Sequence, residues 1–155
     1  MISSTRRVRV LYILRVGLLL LIASIFVMGT IRTFLEGVPE AQAANAKEDT
    51  LVQDLLRVGA TRIYSEYWTC NRLIFHSQER IICSALDDQL KPGFDRYMPY
   101  RSTVRAALHP AYVLPWNSVQ ATTFQREMLS QYVHYRHYVF EGYDVYQPDT
   151  NVGSP

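Results

Sequence analysis

The chain is poor in the residues from which active sites are most often built. It has two cysteines and four histidines, and no Cys, His, Asp or Glu cluster stands at zinc-ligand spacing. Its seven glycines are scattered, so neither a glycine-rich phosphate loop nor a nucleophile elbow is present. His134 and His137 are three apart, a spacing that can share a metal on a helix, but they fall where a helix gives way to a strand. No metal and no cofactor is expected, and no catalytic residue is assigned. Charge of one sign is also scarce. The net charge is +2, and the four arginines Arg6, Arg7, Arg9 and Arg15 precede every acidic residue; setting them aside leaves the remainder at −2. A faintly acidic domain is a poor nucleic-acid binder, because that affinity rests on neutralising phosphates. No internal repeat is visible.

What is abundant is one apolar run. Val10 to Ile31 carries a single charge, Arg15, and is long enough to cross a bilayer core as a helix. Lys and Arg collect on the cytoplasmic side of a first membrane helix, and Arg15 can snorkel toward those headgroups. The expectation is a single-pass protein of the cell membrane with a cytoplasmic N-terminus and an extracytoplasmic domain. A cleaved signal peptide is the rival reading. Its candidate small residues, Ala41, Ala43, Ala44 and Ala46, lie well beyond the end of the run, with Arg32, Glu36 and Pro39 between, which favours a retained anchor. The organisation that follows is a basic N-terminus (1–9), a transmembrane helix (10–31), a juxtamembrane connector (32–44), one folded domain (45–147) and a polar, disordered tail (148–155).

Within the domain, helical and strand-like runs alternate. Asn45 and Glu48 have capping-box spacing, and a helix with Leu51, Val52, Leu55 and Leu56 on one face would end before Gly59. Thr61 to Tyr67 reads as a strand, Thr69 to His76 as a short helix, and Arg80 to Leu86 as a strand. Asp87 to Arg101 reads as a loop broken by Pro92-Gly93 and Pro99, and Ser102 as the cap of a short helix. Ala111 to Leu114 reads as a strand closed by Pro115. Thr122 and Gln125 predict a helix burying Phe124, Met128, Leu129 and Tyr132, and Glu141-Gly142 a tight turn between two strands. This alternation predicts the α/β class, with a partly parallel sheet.

Two segments, Tyr64-Ser-Glu-Tyr67-Trp68 and Asp95-Arg96-Tyr97-Met-Pro99-Tyr100, together with Leu73-Ile-Phe75 and Glu79-Arg80, give the chain a resemblance. It is similar, over Asn45 to Gln147, to the extracytoplasmic region after the last membrane helix of bacterial multi-spanning glycosyltransferases of the protein-mannosyltransferase type. The resemblance implies work on surface glycans or lipid-linked sugars. That family's catalytic carboxylate lies in an early loop between membrane helices. A single span offers no such loop, so a binding or accessory role is expected rather than independent transfer. A descendant acting alone, the partner of a multi-spanning membrane glycosyltransferase and a fragment of one all fit. An interaction domain docking such a partner is the alternative reading. A separate extracytoplasmic hydrolase is a third, and would need distant residues such as His76 and Asp95 to meet.

The candidate ligand-binding residues are Tyr67, Trp68, Asp95, Arg96, Tyr97 and Tyr100. Aromatic faces stack on the C–H surface of a sugar ring while Arg and Asp take its hydroxyls; Tyr64, Tyr112, Arg101 and Arg105 extend this set. The plain alternative is that tyrosine packs its ring at the core edge and wets its hydroxyl. Cys70 and Cys83 are an even count outside the cytoplasm, which permits a disulfide, while Cys83 in an apolar strand equally suits a buried thiol.

Overall fold

The computed structural model describes the backbone of residues 3–130 and 134–148. The chain divides into two compact units, Met1–Ala44 and Asn45–Pro155.

In the first unit, α1 (Ser3–Arg32) is a 30-residue helix. Its Val10–Ile31 part alone rises about 33 Å, against a hydrocarbon core of about 30 Å. It is long and apolar enough to cross a membrane, and none of that apolar window is buried in protein. The hydroxyls of Ser24 and Thr30 donate to the carbonyls of Leu21 (2.8 Å) and Phe26 (2.9 Å), so its few polar side chains satisfy themselves within the helix. The expected irregular connector is instead helical. A π-helical turn, Thr33–Gly37, follows α1, and α2 runs Val38–Arg57. Pro39 supplies no backbone N–H, but in the first turn of α2 that loss costs little, and the wider π turn carries the path past it. Asn45 is therefore mid-helix and caps nothing.

In the second unit a five-stranded sheet has the order β2-β1-β3-β5-β4, made of β1 (Arg62–Ser65), β2 (Ile82–Ala85), β3 (Ala111–Pro115), β4 (Tyr135–Phe140) and β5 (Tyr143–Pro148). β1 is parallel to both β2 and β3, and β5 is antiparallel to β3 and β4. The sheet is thus partly parallel and the class α/β. Because β2 and β3 flank β1 on opposite sides, right-handed crossovers send their helices to opposite faces. The cores follow. On one face Leu51, Val52 and Leu55 of α2 and Cys70 and Leu73 of α3 (Tyr67–His76) meet Ile63, Cys83, Val113 and Val145. On the other, Val104 of α4 (Met98–Arg105) and Phe124 and Met128 of α5 (Val119–Ser130) meet Tyr64, Tyr112, Leu114 and Tyr146. Period-two alternation along each strand feeds both layers.

The punctuation is specific. Gly59, at φ +77°, ends α2, the left-handed position that glycine takes without steric cost. Glu141 and Gly142 have φ of +46° and +85°, giving the β4–β5 hairpin a two-residue turn of the primed kind. Four further expectations are corrected. α3 begins at Tyr67, so Tyr67 and Trp68 are its first turn rather than the end of a strand. α4 begins at Met98, four residues before Ser102, because Pro99 fits the first turn of a helix. α5 is capped one turn earlier than Thr122: the Ser118 hydroxyl accepts the Ala121 N–H (3.0 Å). β5 extends through Pro148, the expected start of the tail. Tyr132, the side chain of Leu129 and residues 149–155 lie outside the described residues.

Candidate functional site

Tyr67 follows β1 and Phe94 to Tyr97 follow β2, so adjacent parallel strands deliver two loops to the same carboxyl-terminal edge of the sheet. There, Tyr67, Asn71, Ile74, Phe94, Arg96 and Tyr97 line the mouth of a cleft whose inner wall includes Cys70, Cys83, Ala85, Asp95 and Tyr100. Five of the six predicted residues, Tyr67, Asp95, Arg96, Tyr97 and Tyr100, are brought together here. Trp68 stands beside them, its ring 5.1 Å from that of Tyr67.

The cleft holds about 80 Å³, well below the roughly 300 Å³ at which ligand pockets begin. Its capacity lies in its rim. Trp68 is 66 % exposed, Phe94 72 % and Tyr97 56 %. Tyr67 links two of them, with its ring 5.9 Å from Phe94, and Tyr97 stands edge-on to Tyr100 at 4.8 Å. These are open ring faces around a shallow floor, suited to a flat ligand laid across them.

The two charged neighbours in sequence, Asp95 and Arg96, do different work and are not a pair. Asp95 turns inward. Its Oδ1 accepts the Ala85 N–H (2.7 Å), and its Oδ2 accepts from the Ser84 hydroxyl (3.2 Å) and Arg101 Nε (2.7 Å). Arg101 also donates to the Gly93 carbonyl. Asp95 is thus a clamp holding the 93–101 segment on the open edge of β2, rather than a ligand for sugar hydroxyls. Gly93 is part of the same clamp: its N–H bonds the Ala85 carbonyl (2.8 Å), and a Cβ there would lie 3.2 Å from that oxygen. Arg96 turns outward and donates from Nε to the Tyr67 hydroxyl (2.9 Å). Tyr100 has its phenol raised above the ordinary range by burial and then by a hydrogen bond to Glu79.

The disulfide Cys70–Cys83 ties α3 to β2 across a sequence separation of 13, Cα to Cα 5.2 Å. Closing a loop of that length contributes about 3 kcal/mol in the chain-entropy picture. It fixes one wall of the cleft relative to the sheet.

Other candidates lie elsewhere. Tyr64 and Tyr112 are buried on the opposite face, rings 5.3 Å apart, where burial first, then Tyr64 and Glu127, raise the Tyr112 phenol. Arg101 and Arg105 line a separate hollow on that face with Ser84 and Leu86. His76 does not meet Asp95: its Nδ1 is 2.9 Å from Asp49 Oδ1. His137 bonds Asp144 (2.8 Å) and stacks on Tyr146. Among the described residues no group of three potential metal ligands gathers. Phe94 and Asn71 were missed by the sequence reading. Phe94 was legible as the aromatic beside the Asp95-Arg96-Tyr97 segment; Asn71 becomes relevant only once α3 lies over β2.

Comparison with protein-family models, with curated protein sequences and with solved structures gives no match.

Proposed function

We propose that this is a single-pass membrane protein, N-terminus cytoplasmic, whose second unit works outside the cytoplasm as a non-catalytic glycan-binding domain accessory to a membrane glycosyltransferase. The observation that carries the reading is the convergence of Tyr67, Trp68, Phe94, Arg96 and Tyr97, from two loops distant in sequence, on one edge of the sheet with their ring faces open. Single exposed apolar residues are ordinary on a protein surface; a cluster of them held in place by a buried ion pair and a disulfide is what a binding surface needs. The α1 helix with its flanking arginines supports the anchor and its direction, and the resemblance to the mannosyltransferase-type soluble region supports glycan or lipid-linked sugar as the ligand class.

The domain binds sugar by stacking, with no enclosed pocket. Aromatic pairs contribute about 0.5–1.5 kcal/mol beyond their buried area, so Trp68→Ala or Tyr97→Ala should weaken binding roughly two- to tenfold each. A glycan array followed by titration calorimetry on the full chain in detergent tests this, with thermal melting to show that the variants fold. Absence of glycan binding by the wild type, or binding that both substitutions leave unchanged, removes the reading. Topology is tested separately by protease access to the second unit in intact cells and in inverted vesicles.

A further inference from the structure

We infer that the cleft selects an acidic sugar, one bearing a carboxylate of the uronic-acid kind, and that Arg96 reads its charge; the inference rests on the glycan-binding reading above. A neutral sugar offers hydroxyls, each of which can donate one hydrogen bond and accept others. The carboxylate in the cleft wall that could accept from them, Asp95, is withdrawn: its side chain is 6 % exposed and its two oxygens already take three hydrogen bonds. The carboxylate of Glu79 is exposed and is not among the residues lining the cleft. Asn71 spends an Nδ2–H on the Tyr67 carbonyl (2.7 Å), leaving its amide oxygen as one neutral acceptor at the mouth.

Arg96 is the opposite case. It is exposed at the rim, and its Nε is fixed on the Tyr67 hydroxyl. That bond anchors the guanidinium beside the aromatic rings through Nε alone, and among the described residues its terminal nitrogens have no hydrogen bond. Among the described residues no carboxylate forms an ion pair with Arg96, whereas Arg101 is neutralised by Asp95. The mouth of the cleft therefore carries one oriented, unneutralised cation among open rings. A planar carboxylate can take two parallel N–H bonds from such a guanidinium while the sugar ring to which it is attached lies on Tyr97 or Phe94.

The test uses the full chain in detergent and two probes: a tetrasaccharide containing glucuronic acid, and the same tetrasaccharide with that carboxyl reduced to give glucose. A charge-assisted hydrogen-bonded contact makes the acidic probe bind roughly ten- to a hundredfold more tightly at low salt. Raising the salt to about 0.5 M shrinks that preference, because the pair is at the surface. Arg96→Gln brings the two probes to equal affinity; Arg96→Lys keeps part of the preference, which separates charge from packing against Tyr67. Trp68→Ala weakens both probes equally. Equal binding of the two probes by the wild type, or a preference that survives Arg96→Gln, overturns the acidic-sugar assignment and leaves glycan binding standing. A sulfated counterpart that binds more tightly than the glucuronic acid probe overturns the carboxylate assignment. If no probe binds, and a broad glycan array is also blank, both readings fall together.

Discussion

Asp95→Ala is the sharpest perturbation of this molecule, because it removes one acceptor from three donors at once. The Ala85 N–H lies on the outer edge of β2, where no further strand can take it, and Ala85 and Ser84 are 2 % and 1 % exposed. Neither donor reaches water without the 93–101 segment lifting. Arg101, with a side chain 27 % exposed, can turn partly to solvent and so loses less. An unmet buried donor costs about 1–3 kcal/mol, and removing one partner of a buried ion pair costs about 3–5 kcal/mol. Because Arg101 can relax, a loss near the lower end, about 3 kcal/mol, is expected. For a domain of this size each kcal/mol moves Tm by roughly 4–8 °C, so the second unit, Asn45–Pro155, should melt about 12–24 °C lower. Asp95→Asn keeps an oxygen for the Ala85 N–H but loses the charge opposite Arg101, and should fall between. Under the proposed function both substitutions also weaken glycan binding, since Arg96 and Tyr97 follow directly on the clamp. Calorimetry or circular dichroism melts of the three proteins decide it. A loss below about 1 kcal/mol for Asp95→Ala, or a larger loss for Asp95→Asn, would refute the clamp.

Gly93→Ala pushes a methyl against the backbone of Ala85 and Leu86, which cannot swing aside as a side chain does, so it should cost about 1–3 kcal/mol and lower glycan affinity with it; urea denaturation and calorimetry on the same sample check both. Phe124 is fully buried between Tyr112 and Tyr146, rings 4.5 and 4.6 Å away, so Phe124→Ala should lose about 3–5 kcal/mol in urea denaturation with no change in the ligand preference of whatever fraction stays folded. Alkaline pH should destabilise the fold. Burial raises the phenols of Tyr112 and Tyr146, so above about pH 10, where unfolded tyrosine ionises, the unfolded chain releases protons that the fold retains. Stability then falls with rising pH by about 1.4 kcal/mol per unit per group, and is unaffected by these groups below that. Tyr112→Phe should flatten the fall in pH-dependent denaturation.

Much of the architecture is written locally. Each strand is a short apolar or aromatic run between breakers, Gly59 and Glu141-Gly142 announce their turns by residue type, and the apolar stripe of α2 has a helix's period. What is not local was misread. Pro39 and Pro99 look like breakers, and each is tolerated in a first helical turn only because of what precedes it: a π turn in one case, a loop pinned to β2 in the other. The cap of α5 is Ser118 rather than Thr122, two positions with the same chemistry one turn apart, and burial of Phe124 and Met128 chooses between them. The candidate site divides in the same way. The aromatic and charged residue types were visible as two segments, but which of them share a surface depends on strand order. With β2 next to β1 the loops carrying Tyr67 and Phe94 to Tyr97 become neighbours. Tyr64, three residues from Tyr67, goes to the opposite core because the chain passes from period two to helix between them.

The exposed rings and the buried ones stand in different physical positions. Tyr64, Tyr112, Phe124, Tyr135 and Tyr146 pack on one another beneath α5, and their burial accounts for their presence. Trp68, Phe94 and Tyr97 give the core little, yet Asp95, Arg101, Gly93 and the Cys70–Cys83 bridge are arranged so that the segments bearing them cannot collapse inward. A loop held only for stability could fold its aromatic side chains against Ile74 and Ala85 and fill the 80 Å³ cleft. Here the clamp sits deeper than the rings and fixes the backbone with the rings outside. That separation, rigid polar anchors below and open apolar faces above, is the physical difference between a loop that finishes a core and one that presents a surface.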